Sequence, residues 1–299
     1  MSFRAAGLCK SYSGVPVLQD GPTDYGKMKA MIDAGNVTWD VVDVEQDFGV
    51  WAGDAGWLEP IDFSMLNKAE LDPRFVTDYT VGSFYAVYVL GFSKTAYSGR
   101  QPETWADMFD TKAFPGKRTY YKWSAPGNIE IPLLADGVAP DKLYPLDLDR
   151  AFKKLNEIKK DVAVWWKAGA QPPQLMKDNE VQYAICWSGR VVGDPAFGLN
   201  FAGGKADLSF IAVVKGSSAE NKAAAYKLFH EMSLPENQAK AAEVISYTGP
   251  SPDLDALLPK DKLWQFPTSK QNKEVQYFEN AQWWADNGEA VNKKWEAFK

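Results

Sequence analysis

The sequence predicts an α/β fold spread over two domains, and three observations carry that expectation. Residues 14–18, 23–35 and 39–44 read as strand, helix and strand within about 30 residues, a βαβ unit. The chain has 299 residues, enough for two hydrophobic cores of ordinary size. Strand and helix patterns then continue to the end with no internal repeat and no low-complexity linker.

Each element has a local cause. Pro16 confines the first strand to an edge or an end, because proline cannot donate to a ladder. Thr23 is placed to cap the next helix, Met28, Met31 and Ile32 share one of its faces, and Gly35 stops it. The β-branched run at 39–44 fits a buried parallel strand. Residues 84–92 form a long aromatic strand that crosses between domains. Strands at 117–121 and 181–187 follow, and between them a helix from Asp149 buries Phe152, Leu155 and Ile158. Residues 208–214 bring the chain back. Ser217 and Glu220 form a capping box, opening a helix with Ala225, Leu228, Phe229 and Met232 inward. Ser233 and Glu236 form a second box, with Pro235 at the first helical position. After Pro252 the chain crosses again and ends in a helix burying Val291, Trp295 and Phe298.

Composition excludes several functions. Apolar residues make up 45% and charged residues 24%, the balance of a soluble globular protein. A net charge of −6 with no basic cluster argues against a nucleic-acid surface. No run approaches the roughly 20 apolar residues of a membrane span. One histidine, His230 on a helix surface, and two cysteines leave almost nothing from which to build a metal site. No cofactor is expected. Cys9 and Cys186 make no disulfide framework, although a bridge between them is open in an oxidising compartment. Twelve Trp and thirteen Tyr serve mainly as aromatic core, with a few rings left to line a ligand slot. The first ten residues lack the apolar core of about 7–15 residues that a secretory signal carries. Leu8 also stands where a lipoprotein signal needs a small residue before Cys9.

The most informative stretch is 104–118, Thr-Trp-Ala-Asp-Met-Phe-Asp-Thr-Lys-Ala-Phe-Pro-Gly-Lys-Arg. Around it stand Trp39-Asp40-Val41-Val42-Asp43-Val44-Glu45, Gly56-Trp57-Leu58-Glu59-Pro60-Ile61-Asp62, Gly169-Ala170-Gln171, Cys186-Trp187-Ser188-Gly189-Arg190 and Trp283-Trp284-Ala285-Asp286-Asn287. In these motifs and their order the chain resembles the periplasmic solute-binding proteins of ABC importers, in the polyamine- and γ-aminobutyrate-binding branch. The resemblance implies a two-lobed periplasmic binding protein-like α/β fold of type II, with mixed sheets flanked by helices and two interlobe crossings. Lobe 1 would comprise 1–91 and 207–255, and lobe 2 would comprise 92–206 and 256–299. It further implies a monomeric, non-enzymatic receptor in the periplasm. Its partners would be a small amine or amino acid ligand and an ABC permease in the inner membrane. Members of the family open with a strand and loop that supply part of the ligand site. Neither is found here, which implies a truncated or trimmed chain starting within the first helix of lobe 1.

Ligands of open α/β sheets bind beyond the carboxyl ends of the strands. The first such place holds Glu45 and Asp47, either of which can pair with a ligand amine or serve as a loop acid or helix cap. The second holds Tyr121 and Ser124, with Lys122 and Trp123 where polyamine binders tend to carry acids. Buried ammonium groups without carboxylates cost several kcal/mol per ion, which disfavours long polyamines. The third holds Trp187 and Arg190, whose guanidinium can clamp a carboxylate through two parallel hydrogen bonds or form a structural ion pair. In the γ-aminobutyrate-type relatives an arginine at the matching place has the clamping role. The fourth holds Asp207 and Ser209. Relatives place the acid for the ligand amine here; the count back from Lys215-Gly216 falls on Ser209, with Asp207 two residues off. Trp166, Gln171 and Tyr247 complete the expected lining. Trp165 and Trp166 face opposite ways in an extended segment, so only one of them enters the site.

Two other readings compete. Cys186 near a strand end suits a cysteine enzyme on the same fold, with Arg190 as the only cationic neighbour to activate it. Alternatively the chain is a truncated paralogue that does not bind, with a sheet edge left open by the missing strand.

Overall fold

The computed structural model describes residues 17–299 except 19, 21, 22, 69, 70, 97, 98 and 126. Cys9, its bridge to Cys186 and most of the strand expected at 14–18 lie outside the described residues; Val17 and Leu18 belong to no strand. In chain order the elements begin with α1 (Tyr25–Asp33), β1 (Val41–Glu45), α2 (Gln46–Asp54), β2 (Val81–Ser93), α3 (Trp105–Phe109), β3 (Arg118–Tyr121), α4 (Glu130–Ala135) and α5 (Leu148–Ile158). There follow β4 (Val162–Trp166), α6 (Gln171–Lys177), β5 (Tyr183–Trp187), β6 (Phe197–Val213), α7 (Ala219–Ser233), α8 (Pro235–Val244), α9 (Lys270–Lys273), β7 (Tyr277–Phe278) and α10 (Ala281–Phe298). They divide into two compact units, Met1–Tyr85 with Leu208–Leu263 and Ala86–Asp207 with Trp264–Lys299. The chain passes from one unit to the other three times, within β2, within β6 and after Leu263; two crossings were expected above, although the four lobe segments expected with them also entail three. No helix among the described residues is long and apolar enough to cross a membrane.

In the first unit β1 pairs with β6 from Val41↔Val213 to Glu45↔Ser209, and the pair is antiparallel. The expectation of a parallel strand is corrected here. A β-branched run reports burial, but direction is set by the route of the returning chain. Ile61, Leu66, Val81, Ile211, Val213, Ala225, Tyr226 and Phe229 form a core beneath this pair. Asp24, not Thr23, caps α1, its carboxylate accepting from Lys27 N–H at 2.9 Å. Gly35, at φ +60°, follows the helix end as expected. Ser218 caps α7 one residue later than the sequence suggested, accepting from Asn221 N–H. The second box also fails to form. Ser233 closes α7 by donating to the His230 carbonyl at 2.7 Å, and Pro235 opens α8 without a side-chain cap.

In the second unit β5 lies between β2 and β3. It is antiparallel to β2, from Tyr88↔Trp187 to Phe92↔Tyr183, and parallel to β3. Strand β4 runs parallel to β3, ending in the pair Tyr121↔Trp166. The core is large and aromatic, with Tyr88, Trp105, Phe109, Tyr120, Trp166, Tyr183, Trp284 and Trp295 among its members. The 104–118 motif explains itself physically. Thr104 and Asp107 make a reciprocal capping box at the start of α3. The Trp105 indole donates to Gly203 O at 2.7 Å. Arg118 is fully buried, and its guanidinium donates to the carbonyls of Met108, Phe114 and Gly116 at 3.0, 2.7 and 2.6 Å. It also lies 4.6 Å from the centre of the Tyr183 ring.

Candidate functional site

Because β3, β4 and β5 are parallel, Tyr121, Trp166 and Trp187 all stand at the carboxyl end of these strands in the second unit. Their rings meet there. Tyr121 and Trp166 are 4.4 Å apart between centroids, Trp166 and Trp187 are 5.1 Å apart edge to face, and Tyr121 and Trp187 are 6.0 Å apart. Trp166 is fully buried and donates to Ile185 O at 2.9 Å, so it backs the other two rings. Trp165 turns the other way, onto Trp295 at 5.4 Å. Trp123, 43% exposed, extends the group from Tyr121 at 4.9 Å.

Trp187 connects this aromatic group to two opposite charges. Its indole N–H donates to Asp207 Oδ2 at 2.7 Å. Its benzenoid edge lies over Gly169, where a Cβ would come within 2.5 Å of the ring and 3.1 Å of Arg190 Nε. Gly169 thus has both the benzenoid end of Trp187 and the Arg190 Nε as close neighbours, while the indole N–H at the other end of the ring faces Asp207. Arg190 closes the short turn Ser188–Arg190 directly after β5, is exposed, and forms no ion pair among the described residues. Gly169 leaves the space that seats both neighbours. Gly169→Ala is expected to destabilise the protein by about 1–3 kcal/mol through overpacking against Trp187. A urea midpoint equal to that of the parent would show that the ring has room to move.

The remaining expected residues are placed less suggestively. Ser124 is fully buried and donates to Asn292 Oδ1. Gln171 is exposed, and its Oε1 accepts from Lys167 and Ala168 N–H at 2.6 and 2.9 Å, closing the loop before α6. In the first unit, Glu45 is exposed beside Tyr25, whose hydroxyl is pushed above its ordinary range by burial and then by the Glu45 charge. Asp47 accepts from Phe48 N–H at 2.7 Å in the first turn of α2. Ser209 donates to Asp43 Oδ1 at 2.6 Å. The Tyr247 ring stacks on Phe84 at 5.9 Å. The structure thus joins Tyr121, Trp166, Trp187, Arg190 and Asp207 in the second unit, and Ser209 with Asp43 in the first.

Sequence reasoning missed Lys205 and Glu279. Lys205 Nζ lies 3.2 Å from Asp207 Oδ1 and 2.9 Å from Glu279 Oε2, with the three side chains 1%, 12% and 9% exposed. A signal existed: residues two apart in a strand share a face, so Lys205 and Asp207 in β6 had to meet. Cys186 is fully buried, and burial pushes its thiol up to about 12, the opposite of an activated nucleophile. No group of three or more His, Cys, Asp and Glu among the described residues could hold a metal ion.

Comparison with known proteins gives a consistent set of relatives. Residues 15–270 match the family model described as bacterial extracellular solute-binding protein. A γ-aminobutyric acid-binding protein of Pseudomonas aeruginosa is 33% identical, with 97% of this chain and 84% of that protein aligned. The solved Atu4243-GABA receptor superposes with a TM-score of 0.90 at 44% identity, covering 99% of this chain and 92% of its own. An ABC transporter substrate-binding protein from Bradyrhizobium japonicum also gives a TM-score of 0.90, at 32% identity over 98% of this chain and 96% of its own.

Proposed function

The chain belongs to the bacterial extracellular solute-binding proteins, and from that premise we propose that it is a non-enzymatic receptor for a small zwitterion of the γ-aminobutyrate type. One observation carries the reading: Asp207 is bonded to the Trp187 indole N–H, and Arg190 and the far end of the same ring are both close neighbours of Gly169. The Arg190 fork takes the ligand carboxylate through two parallel hydrogen bonds. Asp207 takes the ammonium, so the count that fell on Ser209 is replaced by its neighbour two residues earlier. Trp187 and Tyr121 supply apolar faces for the carbon chain between the charges. The γ-aminobutyrate named in the descriptions of two relatives supports this choice. Within the same unit Ser124 and Gln171 take supporting places at most, and no place is assigned to Glu45, Asp47, Ser209 or Tyr247. The receptor works in the periplasm as a monomer, delivers its solute to an inner-membrane ABC permease, and has no nucleic-acid partner.

Thermal unfolding with and without candidate solutes tests the proposal. At a hundredfold excess over its dissociation constant a true ligand adds about 2.7 kcal/mol, a rise of roughly 2–4 °C per kcal/mol for chains of about this size. γ-Aminobutyrate is expected to give that rise, while putrescine and spermidine give none. A rise with diamines alone would sink the zwitterion reading, and no rise with any amine or amino acid would favour a chain that does not bind.

A further inference from the structure

We propose that Asn128 is a positioning residue for the solute site, locking the turn at Tyr121–Trp123 and so fixing the Tyr121 ring against the carbon chain of the ligand. This rests on the reading that Tyr121 supplies one of the apolar faces. Asn128 is fully buried, and its Nδ2 donates to Tyr121 O at 2.6 Å and to Trp123 O at 2.8 Å. Both amide hydrogens therefore go to the carbonyls on either side of Lys122. Asn128 Oδ1, also buried, has no hydrogen-bond partner among the described residues. A buried polar atom without a partner is costly, so the fold gives up stability to keep this amide turned toward the end of β3.

An asparagine just before a helix ordinarily serves that helix. Here α4 begins at Glu130 without a side-chain cap, and Gly127, at φ +83°, turns the chain that brings Asn128 to the strand end instead. The other carbonyl of the turn is held as well. Lys122 O accepts from the Trp295 indole at 2.7 Å and from Lys299 Nζ at 2.9 Å. Lys122 N–H donates to Trp166 O at 3.0 Å, which carries the β3–β4 pairing one step past Tyr121. Ser124, next in the chain, is tied to Asn292. Carbonyls that would lose their partners where a strand ends are thus each given a side-chain donor. The ring fixed by this arrangement is Tyr121, whose nearest ring neighbours are Trp166 at 4.4 Å and Trp123 at 4.9 Å. The rotamer of a side chain follows its backbone, so a locked turn gives a locked ring. A ring already in place loses little freedom when a solute arrives, and affinity rises accordingly.

Calorimetric titration of γ-aminobutyrate into a set of variants, with urea unfolding of each, tests the assignment. Asn128→Leu keeps the size and removes both donors, and is expected to weaken binding about tenfold. Tyr121→Leu is expected to lose a similar factor. If Asn128 acts through Tyr121, the losses do not combine: Asn128→Leu placed on Tyr121→Leu weakens binding by less than about threefold more. A merely structural role would lower the urea midpoint and leave the affinity of folded protein unchanged, or would multiply the two losses. Asn128→Asp, of the same size with an acceptor in place of the donor, is expected to weaken binding at least as much, and it keeps the test decisive if Asn128→Leu does not fold. Parent-like binding by either folded Asn128 variant overturns the proposal, and so do losses that multiply in the double variant. Undiminished binding by Tyr121→Leu, or a parent chain that does not bind γ-aminobutyrate, overturns the underlying reading of the site instead.

Discussion

Arg190→Ala is expected to cost about 2–5 kcal/mol of affinity for γ-aminobutyrate, from roughly 30-fold to several thousandfold. The size follows from what remains after truncation: a ligand carboxylate removed from water with no charged donor. Arg190→Lys should recover only part of this, because an ammonium is a point charge and cannot form the two parallel bonds of a guanidinium fork. Neither variant should alter stability by more than about 0.5 kcal/mol, since Arg190 is exposed and forms no ion pair among the described residues. Titration calorimetry beside urea unfolding separates the two effects. Full affinity in Arg190→Ala would move the carboxylate site elsewhere; a large loss of stability would make Arg190 structural.

Arg118→Met is expected to act in the opposite way, lowering stability by about 3–5 kcal/mol while folded protein retains its affinity. The replacement fills similar space but removes every donor. The carbonyls of Met108, Phe114 and Gly116 would then be left without the guanidinium they now share. Each buried polar group so orphaned costs about 1–3 kcal/mol. The cation over Tyr183 is lost as well. An unfolding midpoint within about 1 kcal/mol of the parent would show that water replaces the guanidinium at those carbonyls.

Much of the fold could be read because its causes are local. The Phe84-to-Phe92 run, the helix burying Leu155 and Ile158, and the terminal helix burying Val291 and Trp295 all follow from side-chain periodicity. Failures came where one residue competes with its neighbour for a role. Asp24 takes the cap from Thr23 and Ser218 from Ser217, because the residue whose backbone is extended at the helix start does the capping. The direction of β1 depends on a partner more than 160 residues away, beyond the reach of any local pattern. In the site, strand ends pointed to Tyr121, Trp187 and Arg190. Glu279 stayed invisible because a two-residue strand leaves no periodicity to detect.

The division of labour inside the second unit bears on how such a receptor can change. The motif by which the chain is most easily recognised, residues 104–118, is occupied with α3 and the carbonyls around Arg118. A substitution there is penalised whatever solute is carried. Arg190 is under no such constraint, being solvent-facing at the end of a short turn. On the site proposed above, solute choice can drift while the recognisable signature stays fixed. Membership of the family and identity of the cargo are written in separate parts of the chain, and certainty about the first transfers little to the second.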